Sequence, residues 1–278
     1  MSHTRRHKPA FRSVAPGPIV NIAEKRSLRG ALQPNRKPHV FIAVPTLSGD
    51  VHFTIAMLFG RAMASSLVPE CPYTFTTHIE AGTRGIDYAR NQIVKIFLKD
   101  SDADWLVMID ADQVVPDNFW EMVTVTDADI VSGVTPVWVG NMDPETMLRV
   151  NNYAVNAEAR CYNLPMPDDT MTQPYRVPVC GTGCIAIRRR VFAPKPYGVG
   201  SDPFYFTYNE NRKTLGGEDI NFSVECNHAG FILAVHPKVR FDHIKALPLG
   251  QIERYYKARK AMELEGRAVT PDQMLSTG

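Results

Sequence analysis

The clearest candidate for chemistry is a pair of carboxylates directly after an apolar run. Residues 105–109 are apolar, and Asp110 and Asp112 follow with only Ala111 between them. Alternate residues of an extended chain point to the same side, so the two carboxylates should converge. Like charges this close destabilise each other unless a cation compensates them, and Mg²⁺ or Mn²⁺ suits oxygen ligands. The competing interpretation is that both cap the helix expected from Pro116, although Asp112 lies early for an N-cap.

Three further segments carry residue types that suit catalysis or phosphate binding. Glu218 and Asp219 open an expected helix, where acids are also ordinary partners of the helix dipole. His243 follows a strand-like run, and a lone histidine is usually structural. Gly181 and Gly183 lie just before another apolar run, where glycine lets the backbone approach a phosphate or a sugar. Taken singly, each segment is a weak indication of function.

The elements that must position these residues alternate between strands and helices. We predict strands at 39–45, 73–79, 105–109, 130–133, 185–187 and 231–235, and helices at 53–67, 87–99, 116–123, 219–229 and 255–264. Near-continuous apolar strands are typical of a parallel sheet covered on both faces. The alternation predicts an α/β protein with right-handed crossovers, in which ligands bind at the carboxyl ends of the strands. Residues 140–178 are predicted to be irregular and to decorate the core.

The charge is distributed unevenly along the chain. The 278 residues carry a formal net charge of +2, but residues 1–38 hold nine Lys or Arg and one Glu, a local charge of +8. The remaining residues therefore carry −6. We predict that residues 1–38 form a basic, flexible arm. Such an arm could follow nucleic-acid phosphates, or it could be a solubility tail or an oligomer contact.

Composition also restricts the compartment. No stretch approaches the roughly 18 apolar residues of a membrane span, and the basic N-terminus lacks the apolar run of a secretory signal. The five cysteines are scattered, which does not indicate a disulfide framework and favours reduced thiols. We therefore expect a cytoplasmic protein without a membrane span.

Taken in order, these segments resemble the nucleotide-sugar glycosyltransferases of the GT-A fold, over roughly residues 40–243. That fold is a mostly parallel, Rossmann-like sheet flanked by helices, with irregular insertions on the acceptor side. The resemblance implies a catalytic domain at 39–250 and a charged C-terminal helix and tail at 251–278. The matching segments are the strand ending at Pro45-Thr46, Arg84 with Ala89-Arg90-Asn91, Asp110-Ala111-Asp112 as the DxD motif, Gly181-Thr182-Gly183 as the loop near the sugar, Gly217-Glu218-Asp219 as the xED motif, and His243 as the C-terminal metal ligand.

The resemblance implies a metal-dependent reaction. Asp112 and His243, with Asp110, would hold Mn²⁺ or Mg²⁺ and the donor diphosphate, so that the ion acts as a Lewis acid. In an inverting enzyme, Asp219 would take the proton of the acceptor hydroxyl, with Glu218 in support. The donor, most commonly a UDP-sugar in this family, would contact Pro45, Thr46, Ser48, Arg84, Arg90, Asn91, Asp110, Ala111, Gly181 and Gly183. For Arg84 and Arg90 the alternative is a solvated helix face.

The sequence leaves more than one possibility open for the acceptor and for the reaction class. The basic arm raises the hypothesis of a hydroxymethylated base in DNA, of the kind that some phages glycosylate, exposed from the duplex for reaction. A saccharide or protein acceptor is the competing hypothesis, with aromatic residues that could stack on a sugar. These aromatics are Trp138, Tyr153, Tyr162, Phe204, Tyr205 and Tyr208, for which ordinary core packing is the alternative. A sugar nucleotidyltransferase and a non-catalytic binding module remain the other classes. The oligomeric state is not indicated.

Overall fold

The structure is a computed structural model that describes residues 36–82, 85–125, 127–138, 148–155, 161–211, 214–244 and 249–265. The first 35 residues of the basic arm, Arg84 and residues 266–278 of the predicted tail lie outside the described residues. The predicted domain boundaries therefore remain predictions.

The strands and helices alternate along the first half of the chain, as predicted. The strands are β1 (His39–Thr46), β2 (Thr74–Ala81), β3 (Trp105–Ile109), β4 (Gln113–Val114), β5 (Ile130–Val134), β6 (Pro136–Trp138), β7 (Leu148–Val155), β8 (Cys161–Pro165), β9 (Tyr175–Arg176), β10 (Val179–Cys180), β11 (Cys184–Arg188), β12 (Thr207–Tyr208), β13 (Thr214–Gly216), β14 (Leu233–Arg240) and β15 (Asp242–His243). The helices are α1 (Phe53–Ser66), α2 (Ile86–Asp100), α3 (Glu218–His228) and α4 (Leu249–Glu265).

The centre of the fold is a seven-stranded sheet in the order β2-β1-β3-β11-β5-β14-β9. Five of these strands run in one direction, whereas β11 and β9 run against their neighbours. The predicted α/β class, a mostly parallel sheet flanked by helices, is confirmed. Since β11 is antiparallel, it begins at the edge where β1, β3 and β5 end, which we call the carboxyl edge.

Helices cover both faces of this sheet. On one face, Leu106 and Met108 of β3 pack in a cluster that includes Ile93 and Phe97 of α2 and Phe222 of α3. On the other face, Trp105, Val107 and Ile109 pack with Ile55 and Leu58 of α1. The side chains of β3 alternate between the two clusters, as a strand buried on both faces requires.

The expected irregularity of 140–178 is wrong for the described part of that range. There β7 pairs with β6, β8 and β10 in a second sheet, and β9 joins the edge of the main sheet. The strands escaped prediction because polar side chains fill interior positions. Asn152 of β7 is completely buried, and its amide accepts from the Gly181 N–H at 3.1 Å and donates to the Gly133 carbonyl at 3.4 Å.

The expected helix at 116–123 is also corrected. The segment forms a short 3₁₀ helix, Phe119–Thr124. Just before it, the Phe119 N–H donates to the carbonyl of Pro116, three residues earlier, which is the hydrogen-bond spacing of a 3₁₀ helix. Short runs of this length are typical of 3₁₀ helices, which close each turn with a bond three residues apart. At the other end of the chain, α4 begins six residues before the predicted start of its helix.

The cysteines agree with the expected reduced thiols. All five cysteines are free thiols, with Cys180, Cys184 and Cys226 buried. In the parts of the chain that the structure describes, we find no helix with the length and apolarity needed to cross a bilayer.

Candidate active site

The end of β3 brings Asp110 beside the glycine segment. Ile109 pairs with Cys184, the first residue of β11, so the preceding residues of that segment also reach the carboxyl edge. There the Asp110 N–H donates to the Gly183 carbonyl at 2.9 Å. Two motifs that are 70 positions apart thus meet at the edge where ligands bind in open α/β sheets.

Asp112 and His243 are brought together by a short antiparallel pair, β4 with β15. Gln113 lies opposite His243, and the Ile244 N–H donates to the Asp112 carbonyl at 3.0 Å. As a result, His243 Nε2 lies 3.1 Å from Asp112 Oδ2. The other ring nitrogen, Nδ1, lies 3.1 Å from the Pro136 carbonyl. A carbonyl only accepts, so Nδ1 carries a proton and donates.

Arg90 joins three elements beneath this edge. It lies on α2, is only 2% exposed, and donates to Asp110 Oδ1 at 2.8 Å and to Glu218 Oε1 on α3. The solvated helix face considered for this arginine is therefore wrong. Both terminal nitrogens serve carboxylates, which gives Arg90 a structural role at the site; its contact with a donor remains a prediction.

The Asn91 side chain forms hydrogen bonds with the backbone of a neighbouring loop. Its amide donates to the Phe204 carbonyl at 2.7 Å and accepts from the Phe204 N–H at 3.0 Å. The Phe204 ring is buried and stacks on Phe222 with ring centroids 4.6 Å apart, so Phe204 is a core residue. Tyr205 and Tyr208, which follow it, are exposed. Asn91 thus holds the start of an exposed aromatic segment, and its donor contact also stays a prediction.

Asp219 is a carboxylate whose pKa is raised toward neutrality. Its Oδ1 accepts from the Ile220 N–H at 2.8 Å. Burial, with a smaller contribution from the neighbouring Glu218, raises the pKa of Asp219 to about 6. Burial also raises the pKa of Asp110, against the opposing effect of Arg90. Carboxyl groups with raised pKa values are typical of sites that move protons.

Tyr153 belongs to the site, a placement that the sequence did not indicate. Its hydroxyl donates to Asn151 Oδ1 at 3.0 Å, and burial, with a smaller contribution from the nearby Asp219 carboxylate, raises the pKa of Tyr153. From the sequence, Tyr153 is only one of six aromatics between two motifs. Its approach to Asp219 depends on the pairing of β7, for which the sequence carried no recognisable pattern.

Gly181 and Gly183 differ in how much space surrounds them for a side chain. A Cβ on Gly181 would lie 1.6 Å from the Asn151 carbonyl, so the close approach of β7 accounts for this glycine. At Gly183 an added Cβ would make only ordinary contacts, the nearest 3.4 Å from Thr135. The role of either glycine toward a sugar remains a prediction.

The end of β1 supplies the remaining predicted donor residues. Pro45 and Thr46 are buried, and the Thr46 hydroxyl donates to the Asp50 carbonyl at 2.9 Å. Ser48 is exposed in the following loop, where its hydroxyl accepts from the Asp50 N–H at 3.3 Å. Ala111 accepts the His52 N–H at 3.0 Å just before α1. These residues lie at the carboxyl edge, and their contacts with a nucleotide remain predictions.

The contacts around Asp110 and Asp219 form a connected group, which we call the carboxylate cluster. In order, its members are Gly183, Asp110, Arg90, Glu218 and Asp219, and each contacts the next through a hydrogen bond, an ion pair or a peptide link. The cluster draws on α2, α3 and the ends of β3 and β11, so all of these elements must fold before it forms.

The residues present fit a divalent cation in part. Among the described residues, no group of three or more His, Cys, Asp or Glu side chains is placed to hold a metal. Asp112 and His243 supply two donors 3.1 Å apart. Since Nδ1 donates to the Pro136 carbonyl, Nε2 is the ring nitrogen that faces Asp112 and could bind a cation, the arrangement that metal-binding histidines adopt. Neighbouring ligands of an octahedral Mg²⁺ lie about 3 Å apart, which matches this pair.

A cavity of about 420 Å³ lies away from these residues. It is formed by α1 together with residues 71–75 and 115–120, and none of the predicted site residues lines it. Its walls are mainly apolar and include no member of the carboxylate cluster.

The fold resembles several solved structures over most of the chain. GalNAc-T7 with UDP, GalNAc and Mn²⁺ is 16% identical with a TM-score of 0.48, covering 81% of this chain and 48% of that one. The catalytic domain of Drosophila beta1,4-galactosyltransferase 7 is 15% identical with a TM-score of 0.41, covering 79% of each chain. A197 from STIV is 14% identical with a TM-score of 0.42, covering 76% of this chain and 98% of that one.

No protein-family model and no curated protein sequence matches the chain. Resemblance at these identities does not carry an activity from one protein to another, so function must be argued from the site itself. The fold and the site define an α/β protein whose carboxylates at the carboxyl edge of its sheet include two with raised pKa values, Asp110 and Asp219.

Proposed function

We propose that this protein is a metal-dependent glycosyltransferase that moves a sugar from a nucleoside diphosphate sugar to an acceptor hydroxyl, with inversion. The observation that carries the proposal is the convergence of Asp110, Asp112, Asp219 and His243, from three distant parts of the chain, on one edge of the sheet. This edge combines a proton acceptor with a two-donor cation site. A single-displacement transfer to a hydroxyl requires these two functions.

Asp112 and His243 are the residues that would hold the cation. Mn²⁺ or Mg²⁺, when bound there, would neutralise the charge that develops on the departing nucleoside diphosphate. The Nδ1 bond of His243 to the Pro136 carbonyl keeps the ring oriented for this role. Asp110 is held by Arg90 and by the backbone of Gly183, so its carboxylate is fixed where the donor sugar or ribose would lie.

Asp219 is the proposed general base. The acceptor oxygen forms its bond to the anomeric carbon while the bond from that carbon to the diphosphate breaks, and the diphosphate leaves with the electron pair. The hydroxyl proton passes to Asp219, for which we assign Oδ2 because Oδ1 accepts the Ile220 N–H. A pKa of about 6 leaves most of this carboxylate ionised at neutral pH, yet basic enough to accept a proton.

The proposal for the acceptor rests on the charge of the chain. Nine Lys or Arg within residues 1–38 favour a polyanionic acceptor, and we propose a hydroxymethylated base in DNA. The exposed Tyr205 and Tyr208 instead favour a saccharide, which is the second candidate. Deleting residues 1–35 should weaken duplex binding in a filter assay and reduce its salt dependence. Unchanged, salt-insensitive binding would remove the support for DNA.

A panel of nucleotide sugars with Mn²⁺ tests the reaction class. We expect one donor, first of all a UDP-sugar, to release its nucleoside diphosphate slowly without acceptor. Asp112→Asn should abolish this release, whereas the control Asp102→Asn, at the opposite edge of the sheet, should retain it. A nucleotidyltransferase would instead join a sugar phosphate to a nucleoside triphosphate and release pyrophosphate. If no donor is cleaved although metal binds, the glycosyltransferase assignment is wrong.

A further inference from the structure

The solvent-facing side of α1 is apolar, although α1 lies on the surface of the protein. Large apolar side chains between 46% and 85% exposed form what we call the α1 face, which consists of Phe53, Met57, Met63, Leu67 and Val68. The other exposed residues of the helix are Ala56, Gly60, Arg61 and Ala64. A surface helix ordinarily presents charged residues to water, as α2 does with Lys95, Lys99 and Asp100. A contiguous apolar patch of this kind marks an interaction surface.

The single charge on the exposed side of α1 already has a partner. Arg61 forms an ion pair with Asp117, which follows β4. Arg61 and Met57 also line the apolar cavity of about 420 Å³, together with Trp120. The apolar surface therefore continues from the α1 face into the cavity, and covering it does not leave the arginine without its carboxylate.

The basic arm joins the folded part of the chain at one end of the α1 face. Lys37 Nζ donates to the carbonyl of Pro69 at 2.5 Å, and Pro69 directly follows Val68. Residues 1–38 hold nine Lys or Arg and one Glu. A large apolar surface and the strongest positive charge of the chain are therefore neighbours.

We propose that the α1 face binds the surface of a membrane that contains anionic lipid. The apolar side chains enter the boundary between the headgroups and the acyl chains, and the positive charge of the arm is attracted to the lipid phosphates. Firm attachment without a spanning helix takes two such signals, and here they are adjacent. With 14 residues, α1 is shorter than the roughly 20 residues that cross a bilayer, so it lies on the surface. This inference goes beyond the proposed function and does not depend on it.

The combination of an apolar face with an adjacent positive charge favours lipid over two other occupants. DNA, the proposed acceptor, attracts the arm through its phosphates but leaves the apolar side chains of the face without a partner. A second copy of this chain that meets the face with its own supplies apolar side chains but no anionic surface for the arm. An anionic bilayer supplies both.

The test is co-sedimentation of the full chain with phosphatidylcholine vesicles that contain about 30% phosphatidylserine. Met63→Glu with Leu67→Glu should lower the partition coefficient about 100-fold, because each large apolar side chain removed from water contributes about tenfold. The control Tyr197→Glu with Leu249→Glu adds the same charge at exposed apolar residues outside the α1 face, and should stay within about threefold. Deleting residues 1–35 should weaken binding about tenfold, since it removes most of the positive charge.

A measurement on the otherwise unmodified chain locates the contact. Trp120 is 42% exposed and borders the cavity beside Met57. Its fluorescence, taken as the difference between the protein and Trp120→Phe, should be quenched by phosphatidylcholine that is brominated on its acyl chains. An unquenched Trp120 overturns the inference, and so does equal vesicle binding by the α1-face variant and its control.

Two further results would assign the α1 face to another occupant and would also overturn the inference. One is a dimer, seen by light scattering, that Met63→Glu with Leu67→Glu dissociates. The other is stronger vesicle binding after residues 1–35 are deleted, which would show that the arm itself covers the face. Donor cleavage without vesicles should be equal in the α1-face variant and its control, so a failure here leaves the proposed function untouched.

Discussion

Strand β3 carries the same tripeptide, Asp-Ala-Asp, at both of its ends. At the carboxyl end, Asp110 and Asp112 join the candidate active site. At the amino end, Asp104 accepts the His39 N–H at 2.8 Å, and Arg36 contacts Asp102 and Asp104 at 2.7 Å each. The tripeptide is identical, but only one copy lies where strand ends, helix starts and loops converge. The function of a DxD pattern therefore depends on the end of the strand that it follows.

The two copies also differ in their electrostatics. Each is paired with an arginine that reaches two carboxylates, yet Arg90 is 2% exposed whereas the Arg36 side chain is 35% exposed. Burial raises the pKa of Asp110, while a hydrogen bond with His39 lowers the pKa of the exposed Asp102. Desolvation thus determines the direction of the pKa shift at the carboxyl end of β3, and hydrogen bonding determines it at the amino end.

The largest contrast should appear when each arginine is removed. Arg90→Met leaves Asp110 and Glu218 without their buried cation, and we expect the free energy of unfolding to fall by about 3 kcal/mol. The matched variant Arg36→Met breaks an exposed pair, and we expect a loss below about 1 kcal/mol. Urea denaturation measures both. Equal losses would show that the two ends of β3 do not differ in burial as described.

Neutralising one aspartate at each end tests the functional side of the contrast. Asp112→Asn should reduce metal-dependent donor cleavage by about 100-fold, as expected for a charged group at a reaction centre. Asp104→Asn should leave the rate within about twofold per folded molecule, because its partners lie at the opposite edge. The measurement is nucleoside diphosphate release at matched folded fractions. A comparable loss in both variants would contradict the assignment of the site to the carboxyl edge.

The pH dependence of the reaction should report Asp219. Because the base acts when ionised and its pKa is about 6, kcat/KM should rise about tenfold between pH 5 and pH 7. Asp219→Asn should lose both the activity and this rise. The same raised pKa means that the folded protein binds the proton more tightly than the unfolded chain. Ionisation of Asp219 therefore lowers stability as the pH rises from the ordinary aspartate pKa to about 6, the folded value.

The smallest effect is expected from Asp102 at the amino end. Its folded pKa is lowered, so its contribution to stability is present above the ordinary aspartate pKa and is lost as the pH falls through the lowered value. Asp102→Asn should lower the free energy of unfolding by less than about 1 kcal/mol at pH 7, since solvent screens this exposed pair. Thermal unfolding of both proteins from pH 7 to pH 2 should show the difference disappearing in acid.

The part of the fold that could be predicted is the part with regular apolar runs. β1, β3 and β11 are buried on both faces, so their sequences indicate strands that lead directly to Asp110 and the glycine segment. β7 was missed because Asn152 fills an interior position and satisfies its amide through the backbone of Gly133 and Gly181. A buried polar residue breaks the hydrophobic pattern on which strand prediction depends.

The candidate site, like the fold, could be predicted from the sequence only in part. The order of motifs along the chain is sufficient to indicate that Asp110, Asp112, Asp219 and His243 belong together. It did not indicate that Arg90 is buried between two carboxylates, because an arginine in a helix is usually solvated. It also did not place Tyr153 near the site, since that position depends on strand pairing across the second sheet. The contacts between distant elements are what the structure adds.

The reversed direction of β11 has a consequence for how such a protein can change. The chain leaves the carboxyl edge after β5 and returns to the same edge at the start of β11. Everything between those points forms an excursion whose two ends lie close together, so a change in its length costs little closure entropy. The excursion includes β9, an edge strand of the main sheet, and Pro136, whose carbonyl holds the His243 ring. A designer who keeps these two could therefore exchange the rest of the excursion and leave the other six central strands and the cation pair in place.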